Sequence, residues 1–156
     1  MLALVAIVIW TFGFMRADRN VLIASVLLKA GDPEESDDWF QEAFELRNDN
    51  SYRKDHITGM LGAALERQKE EPGAGEFFRQ QAQESYRQLT VPDVSTIAAY
   101  GRYLYSYGFG NPEVLDEARE AYELGVRYDP MNPLERVGLA DILMAQGEAE
   151  RAVQVL

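Results

Sequence analysis

An all-α fold of stacked helical hairpins is predicted by three observations on this chain of 156 residues. Small and apolar residues recur at spacings of three and four along most of its length, as on the inner faces of helices. Gly and Pro fall between the periodic stretches, where helices would end. The alternating β-branched runs and two-residue turns that announce strands are missing, whereas Ala, Leu, Glu, Gln and Arg, all good helix formers, are plentiful.

The first element, Met1 to Met15, carries no charge and is followed at once by Arg16, Asp18 and Arg19. This reads as a membrane helix over residues 1–16. Fifteen residues rise roughly 22 Å, short of a hydrocarbon core of about 30 Å, and Arg16 and Arg19 could snorkel to extend the reach. The alternatives are an interfacial or capping helix and a cleaved secretory signal. The signal fits less well, because no basic segment precedes the run and no small-residue cleavage site follows it. The two arginines favour a cytoplasmic position for everything downstream. The chain is then either tethered by a single pass or attached to the last helix of a longer membrane protein.

Four hairpin units are predicted after this segment, at about residues 17–50, 51–92, 93–130 and 131–156, which together form one domain over 17–156. In the first, Ile23, Ala24, Leu27, Gly31, Ser36, Phe40, Ala43 and Asn48 lie in helical register. The second is weaker, with Leu61, Gly62 and Leu65 on one helix and Phe78, Ala82, Tyr86 and Leu89 on the next, separated by a turn at Glu71 to Gly75. In the third, Tyr100, Gly101, Leu104 and Gly108 precede Ala118, Tyr122 and Gly125, and Asp129 with Pro130 stops the helix. The fourth places Leu139, Ala140 and Leu143 inward, turns at Gly147 and continues to Ala152. Small residues permit close helix approach, and Tyr122, Leu139, Leu143 and Leu156 fill the space between. An apolar face around Leu143, Val153 and Leu156 is expected to lack a covering helix.

This register resembles the tetratricopeptide repeat, a helical hairpin of about 34 residues. The resemblance covers about nine-tenths of the chain, and four units exceed the three such arrays need for a continuous core. It implies hairpins stacked in a right-handed superhelix that binds other proteins. One departure is an insertion of about five residues at Gly110 to Val114, expected as a surface loop. A less specific resemblance, carried by residues 1–50, is to the junction between the last membrane helix and the repeat tail of bacterial O-antigen ligase and polymerase-like proteins. It implies that any glycan-transfer chemistry resides upstream, since these residues hold no ligase motif.

Charge and composition narrow the function. With 26 acidic against 15 basic residues the net charge is −11, which opposes nucleic-acid binding and favours partners with basic patches. The absence of Cys removes disulfides and thiolate chemistry. His56 is the only histidine, so neither a His-based metal site nor a nucleophile with its base is supported, and it reads as structural or exposed. The acidic run Asp32, Glu34, Glu35, Asp37 and Asp38 lacks the pattern of a calcium loop and reads as a solvated, helix-capping cluster. Gly73 and Gly75 lack the Lys of a phosphate loop and read as a turn. No enzyme, cofactor or metal site is therefore expected.

What remains is an interaction surface. Tyr100, Tyr103, Tyr105 and Tyr107 crowd one helix together with Arg102, the residue types favoured at binding hot spots. In the family resembled, groove-facing side chains come from the first helix of each hairpin. That implies Ser25, Leu28 and Lys29 in the first unit, Arg102, Tyr105 and Ser106 in the third, and Val137, Asp141 and Met144 in the fourth. The Lys and Asn pattern that grips a C-terminal carboxylate in some members is not matched, since Val21 and Ser25 stand there.

Overall fold

The computed structural model describes residues 2–90, 93–108 and 110–156, with side chains described from residue 11 onward. Among the described residues the chain is all-α, with eight helices and no strand. They are α1 (Leu2–Ala30), α2 (Pro33–Leu46), α3 (Asn50–Glu70), α4 (Glu76–Arg87), α5 (Val94–Tyr107), α6 (Pro112–Tyr128), α7 (Pro133–Ala145) and α8 (Ala149–Val155).

Local chemistry sets these boundaries. The four glycines with left-handed backbone, Gly31 (φ 85°), Gly73 (φ 90°), Gly110 (φ 95°) and Gly147 (φ 80°), stand one in each turn that closes a hairpin: α1–α2, α3–α4, α5–α6 and α7–α8. A residue with a Cβ is strained there. At the first and last turns the geometry is the same. Asp32 N–H reaches Leu27 carbonyl at 3.0 Å, and Glu148 N–H reaches Leu143 carbonyl at 2.8 Å, closing the helix end with a six-residue bond. The following helices start on side-chain caps. Asp32, Asp93, Asn111 and Asn132 accept backbone N–H groups of α2, α5, α6 and α7, and Pro33, Pro112 and Pro133 sit where a missing N–H costs nothing.

The segment Gly110 to Val114 is not the loose loop expected. Gly110 makes the turn, Asn111 caps α6, and Pro112 to Val114 already form its first turn. Val114 is buried and packs where a Cβ at Gly108 would lie only 3.0 Å from its Cγ1. The extra residues are absorbed by starting the helix early.

The chain divides into two compact units. The first comprises Met1–Ala63 with Phe78–Thr90, and the second Ala64–Phe77 with Val91–Leu156. In the first, Ala17, Val21 and Ala24 of α1 pack on Phe40 and Ala43 of α2 and Tyr52 of α3. The Ala17 and Ala24 positions let backbones approach closely enough for Ser36 Oγ to donate to the Ala24 carbonyl at 2.9 Å. In the second, Ile97, Tyr100 and Leu104 of α5, Val114, Ala118 and Ala121 of α6, Leu139, Ile142 and Leu143 of α7, and Ala152 of α8 are buried. Leu143 is a core residue, as its inward position implies, and does not share the uncovered face expected around it; Val153 and Leu156 are exposed, so Leu156 does not fill the space between helices expected of it.

Helix α1 runs without interruption from Leu2 through Ala30, so the apolar run and the first repeat helix are one element. Among the described residues no helix is long and apolar enough to cross a membrane. The span expected over residues 1–16 lies mostly outside the residues whose side chains are described. Within its described part, Phe12 and Met15 are exposed, whereas Phe14 lies beneath the Arg47 guanidinium at 3.8 Å from the ring centre.

Candidate protein-interaction surface

In the second unit the two helices that carry predicted contact residues, α5 and α7, pack against one aromatic ring. Tyr122 projects from α6 between two glycines. A Cβ at Gly138 of α7 would lie 2.2 Å from Tyr122 Cε1, and one at Gly101 of α5 would lie 3.1 Å from its Cδ2 and Cε2. The ring therefore fills space that only glycine leaves free, and it sets the spacing of three helices. Its hydroxyl is held protonated, with a pKa pushed up to about 12. Burial is the main cause, the Glu135 carboxylate adds to it, and Arg102 opposes it; Asp141 and Tyr105 act in the same field. Arg102 and Tyr105 of α5 and Asp141 of α7 thus all act electrostatically on the Tyr122 hydroxyl.

Of these residues, Arg102, Ser106, Val137, Asp141 and Met144 are exposed and Tyr105 is half-buried. Ser106 returns its hydroxyl to the Arg102 carbonyl at 3.0 Å. Arg102, Asp141, Tyr105 and Met144 offer a cation, an anion, a phenol and a thioether: two charges of opposite sign fixing orientation between two adaptable apolar groups. Leu134 extends the α7 apolar surface toward its N-terminus and is exposed.

The first-unit candidates are arranged differently. Ser25 donates to the Val21 carbonyl at 2.8 Å, and Leu28 is half-buried, packed against the core and the space above Gly59. Only Lys29 stands exposed, at the end of α1.

Two further arrangements were invisible to helical periodicity. His56 of α3 is fully buried, with Nε2 2.7 Å from Asp37 Oδ1 of α2 and Nδ1 2.7 Å from Ser85 Oγ of α4. One ring nitrogen meets the Asp37 carboxylate and the other the Ser85 hydroxyl, so the ring satisfies both neighbours. The order Ser, His, Asp is that of a hydrolytic triad, but all three side chains are buried and the rings of Phe40 and Phe44 flank the imidazole edge-on. The network joins three helices. Asp37 is thus a buried network member and not part of a solvated cluster. Burial raises its pKa, but the hydrogen bonds from His56 and Gln41 and the attraction of His56 outweigh that and leave it below the ordinary value. A depressed carboxyl contributes stability above the unfolded pKa that is lost as pH falls through the folded one. Thermal melts of wild type and Asp37→Asn should therefore converge below the ordinary aspartate range; parallel curves would remove Asp37 from the acid response.

The second arrangement is Glu135 in the first turn of α7, fully buried with neither carboxylate oxygen hydrogen-bonded, and pressed so near Gly125 that a Cβ there would lie 2.3 Å from Oε2. Elsewhere in this unit, a groove of about 700 Å³ is lined by Gly110, Pro112, Leu115, Asp116, Arg119 and Glu148. Its Arg119 is already paired with Glu148 at 2.7 Å and Glu123 at 2.9 Å, and none of the predicted contact residues lines it. Among the described residues no cluster of His, Asp and Glu is arranged to hold a metal ion.

Comparison with known families agrees with the hairpin register: residues 17–50 match the family described as Tetratricopeptide repeat. No curated protein and no solved structure gives a significant match. The repeat match over residues 17–50, on an all-helical chain, supports a role in protein–protein interaction.

Proposed function

We propose that the chain is a membrane-tethered repeat scaffold that binds a protein partner and performs no chemistry itself. The observation that carries this reading is the repeat match over residues 17–50, together with the exposed Arg102, Val137, Asp141 and Met144 on α5 and α7, two helices that pack on the Tyr122 ring through Gly101 and Gly138. Helices fix these side chains before the partner arrives, so little ordering entropy opposes binding. A partner with a basic residue for Asp141 and an apolar one beside Met144 fits this surface. The acidic chain would also favour approach of a basic patch.

Tethering rests on the uncharged run Met1 to Met15 and on the exposed Arg16 and Arg19 that follow it. Residues 1–16 enter the bilayer in this reading, the arginines stay at the cytoplasmic surface, and the tether raises the local concentration of the bound partner.

A photo-crosslinking residue at Val137 should give one discrete adduct in native membranes. Arg102→Ala with Tyr105→Ala should reduce that adduct about tenfold, as expected when hot-spot contacts are lost, while circular dichroism stays unchanged. An equal adduct at matched expression would remove those residues from the binding surface. Immunoblotting of the same membranes tests the tether: a band near 17.6 kDa fits a self-contained scaffold, and a much larger one the tail of a polytopic glycan-transfer protein.

A further inference from the structure

The outward face of α1 carries a second feature, separate from the surface described above. The first and fourth hairpins share one register: Ala24, Gly31 and Ser36 correspond to Ala140, Gly147 and Ala152, and both turn glycines are left-handed. In the same register Arg19, Leu22 and Val26 of α1 correspond to Glu135, Gly138 and Ile142 of α7. In α7 that face is covered. Glu135 abuts Gly125 of α6, Gly138 abuts Tyr122 of α6, and Ile142 is fully buried.

In α1 the equivalent face is open: Leu22 is 64% exposed and Val26 57%, and Arg19 is exposed. The same stripe runs back to Met15 and Phe12, which belong to the bilayer segment proposed above, and outside that segment Arg19, Leu22 and Val26 follow one another at intervals of three and four. That is the spacing of a helix-packing seam. A lipid-facing stripe would gain nothing from an arginine at its centre. Arg16 and Arg19 form no ion pair among the described residues, and the carboxylate of Asp18 is taken by the Tyr52 hydroxyl.

We propose that this face of α1 docks an amphipathic helix of a protein partner, laid on it as α6 is laid on α7. The differences between the two faces specify the partner's chemistry. Where α7 offers Gly138 to a tyrosine, α1 offers Leu22, so the incoming helix carries a small residue there. Where α7 offers Glu135 to a glycine, α1 offers Arg19, so the incoming helix carries a carboxylate one turn further on.

The probe is a fluorescent peptide of residues 112–128 bearing Tyr122→Ala and Gly125→Glu, titrated with the full chain in detergent micelles. Saturable binding is expected, with Leu22→Asp and Arg19→Glu each weakening it at least tenfold at unchanged helicity, about 1.4 kcal/mol per decade. The Arg19→Glu chain should recover affinity for a peptide with Gly125→Arg. Absence of saturable binding, or binding indifferent to both variants, overturns the proposal. Because the chain has no Cys, Leu22→Cys can carry a single bimane label. Quenching of that label by spin-labelled lipid in vesicles would assign the face to the bilayer and overturn the proposal too, whereas an unquenched label supports it.

Discussion

Gly138→Ala is expected to destabilise the chain by about 3 kcal/mol, at the upper end of overpacking costs, and to lower the melting temperature by roughly 10 °C. The new methyl group would lie 2.2 Å from Cε1 and 2.4 Å from Cζ of Tyr122, and these are atoms of a rigid ring, not the end of a flexible side chain. The ring cannot retreat, because Gly101 of α5 leaves it only van der Waals space on another side. Helix propensity alone would favour alanine by up to about 1 kcal/mol, so the sign of the result decides between local propensity and packing. A double variant with Tyr122→Leu isolates the cause. If the ring is what resists the methyl group, Gly138→Ala should cost much less in that background, and the coupling should exceed about 1 kcal/mol. Additive losses would show that Gly138 matters for some reason other than its contact with Tyr122. Because α7 carries both Val137 and Asp141, a shift of α7 away from α6 should reduce the Val137 crosslink in parallel.

Tyr122 also marks how far the sequence could be read. Its packing role, and the inward positions of Ala118, Gly125, Leu139, Ala140 and Leu143, follow from three-and-four spacing, which depends only on neighbours in sequence. The turns at Gly31, Gly73 and Gly147 were legible for the same reason. Gly110 to Val114 exceeds the repeat length and so reads as a loop, yet Asn111 followed by Pro112 is a helix-start pair and the extra residues begin α6. The His56 network stayed hidden, since its three members come from three helices and no local spacing links them. Glu135 was hidden more deeply. A carboxylate in the first turn of a helix is ordinarily a solvated partner of the helix dipole, and only the approach of Gly125 shows that this one is enclosed. On the candidate surface, register alone puts Arg102, Tyr105 and Asp141 on the first helices of their hairpins, whereas the commitment of Ser25 and Leu28 to α1 and its core depends on tertiary packing.

Glu135 leads to the other large effect, in the stabilising direction. Replacing it by Met, an unbranched side chain of similar length, is expected to raise stability at neutral pH by about 2 to 3 kcal/mol, because a buried carboxylate without partners costs far more than an apolar group. The pH dependence identifies the source. Burial first, and the Asp129 carboxylate second, raise the pKa of Glu135 above the ordinary value. The folded chain therefore holds this proton more tightly than the unfolded chain does. The corresponding stability is complete below the ordinary glutamate range, near pH 4.3, and is lost as pH rises through the folded value. The advantage of Glu135→Met should thus be largest at neutral pH and shrink on acidification, opposite to the acid loss expected from Asp37. Urea unfolding of both chains across that range would measure it. A constant difference between them would mean that Glu135 does not change protonation on folding, and a less stable variant would mean that its carboxylate finds partners the folded chain does not show. Retention of an unfavourable carboxylate beneath Tyr122 and beside Asp129 also bears on binding. If Glu135→Met leaves the Val137 crosslink intact, the carboxylate acts on stability alone; if the crosslink weakens, its field at the Tyr122 hydroxyl helps to hold the surface that Arg102 and Asp141 share.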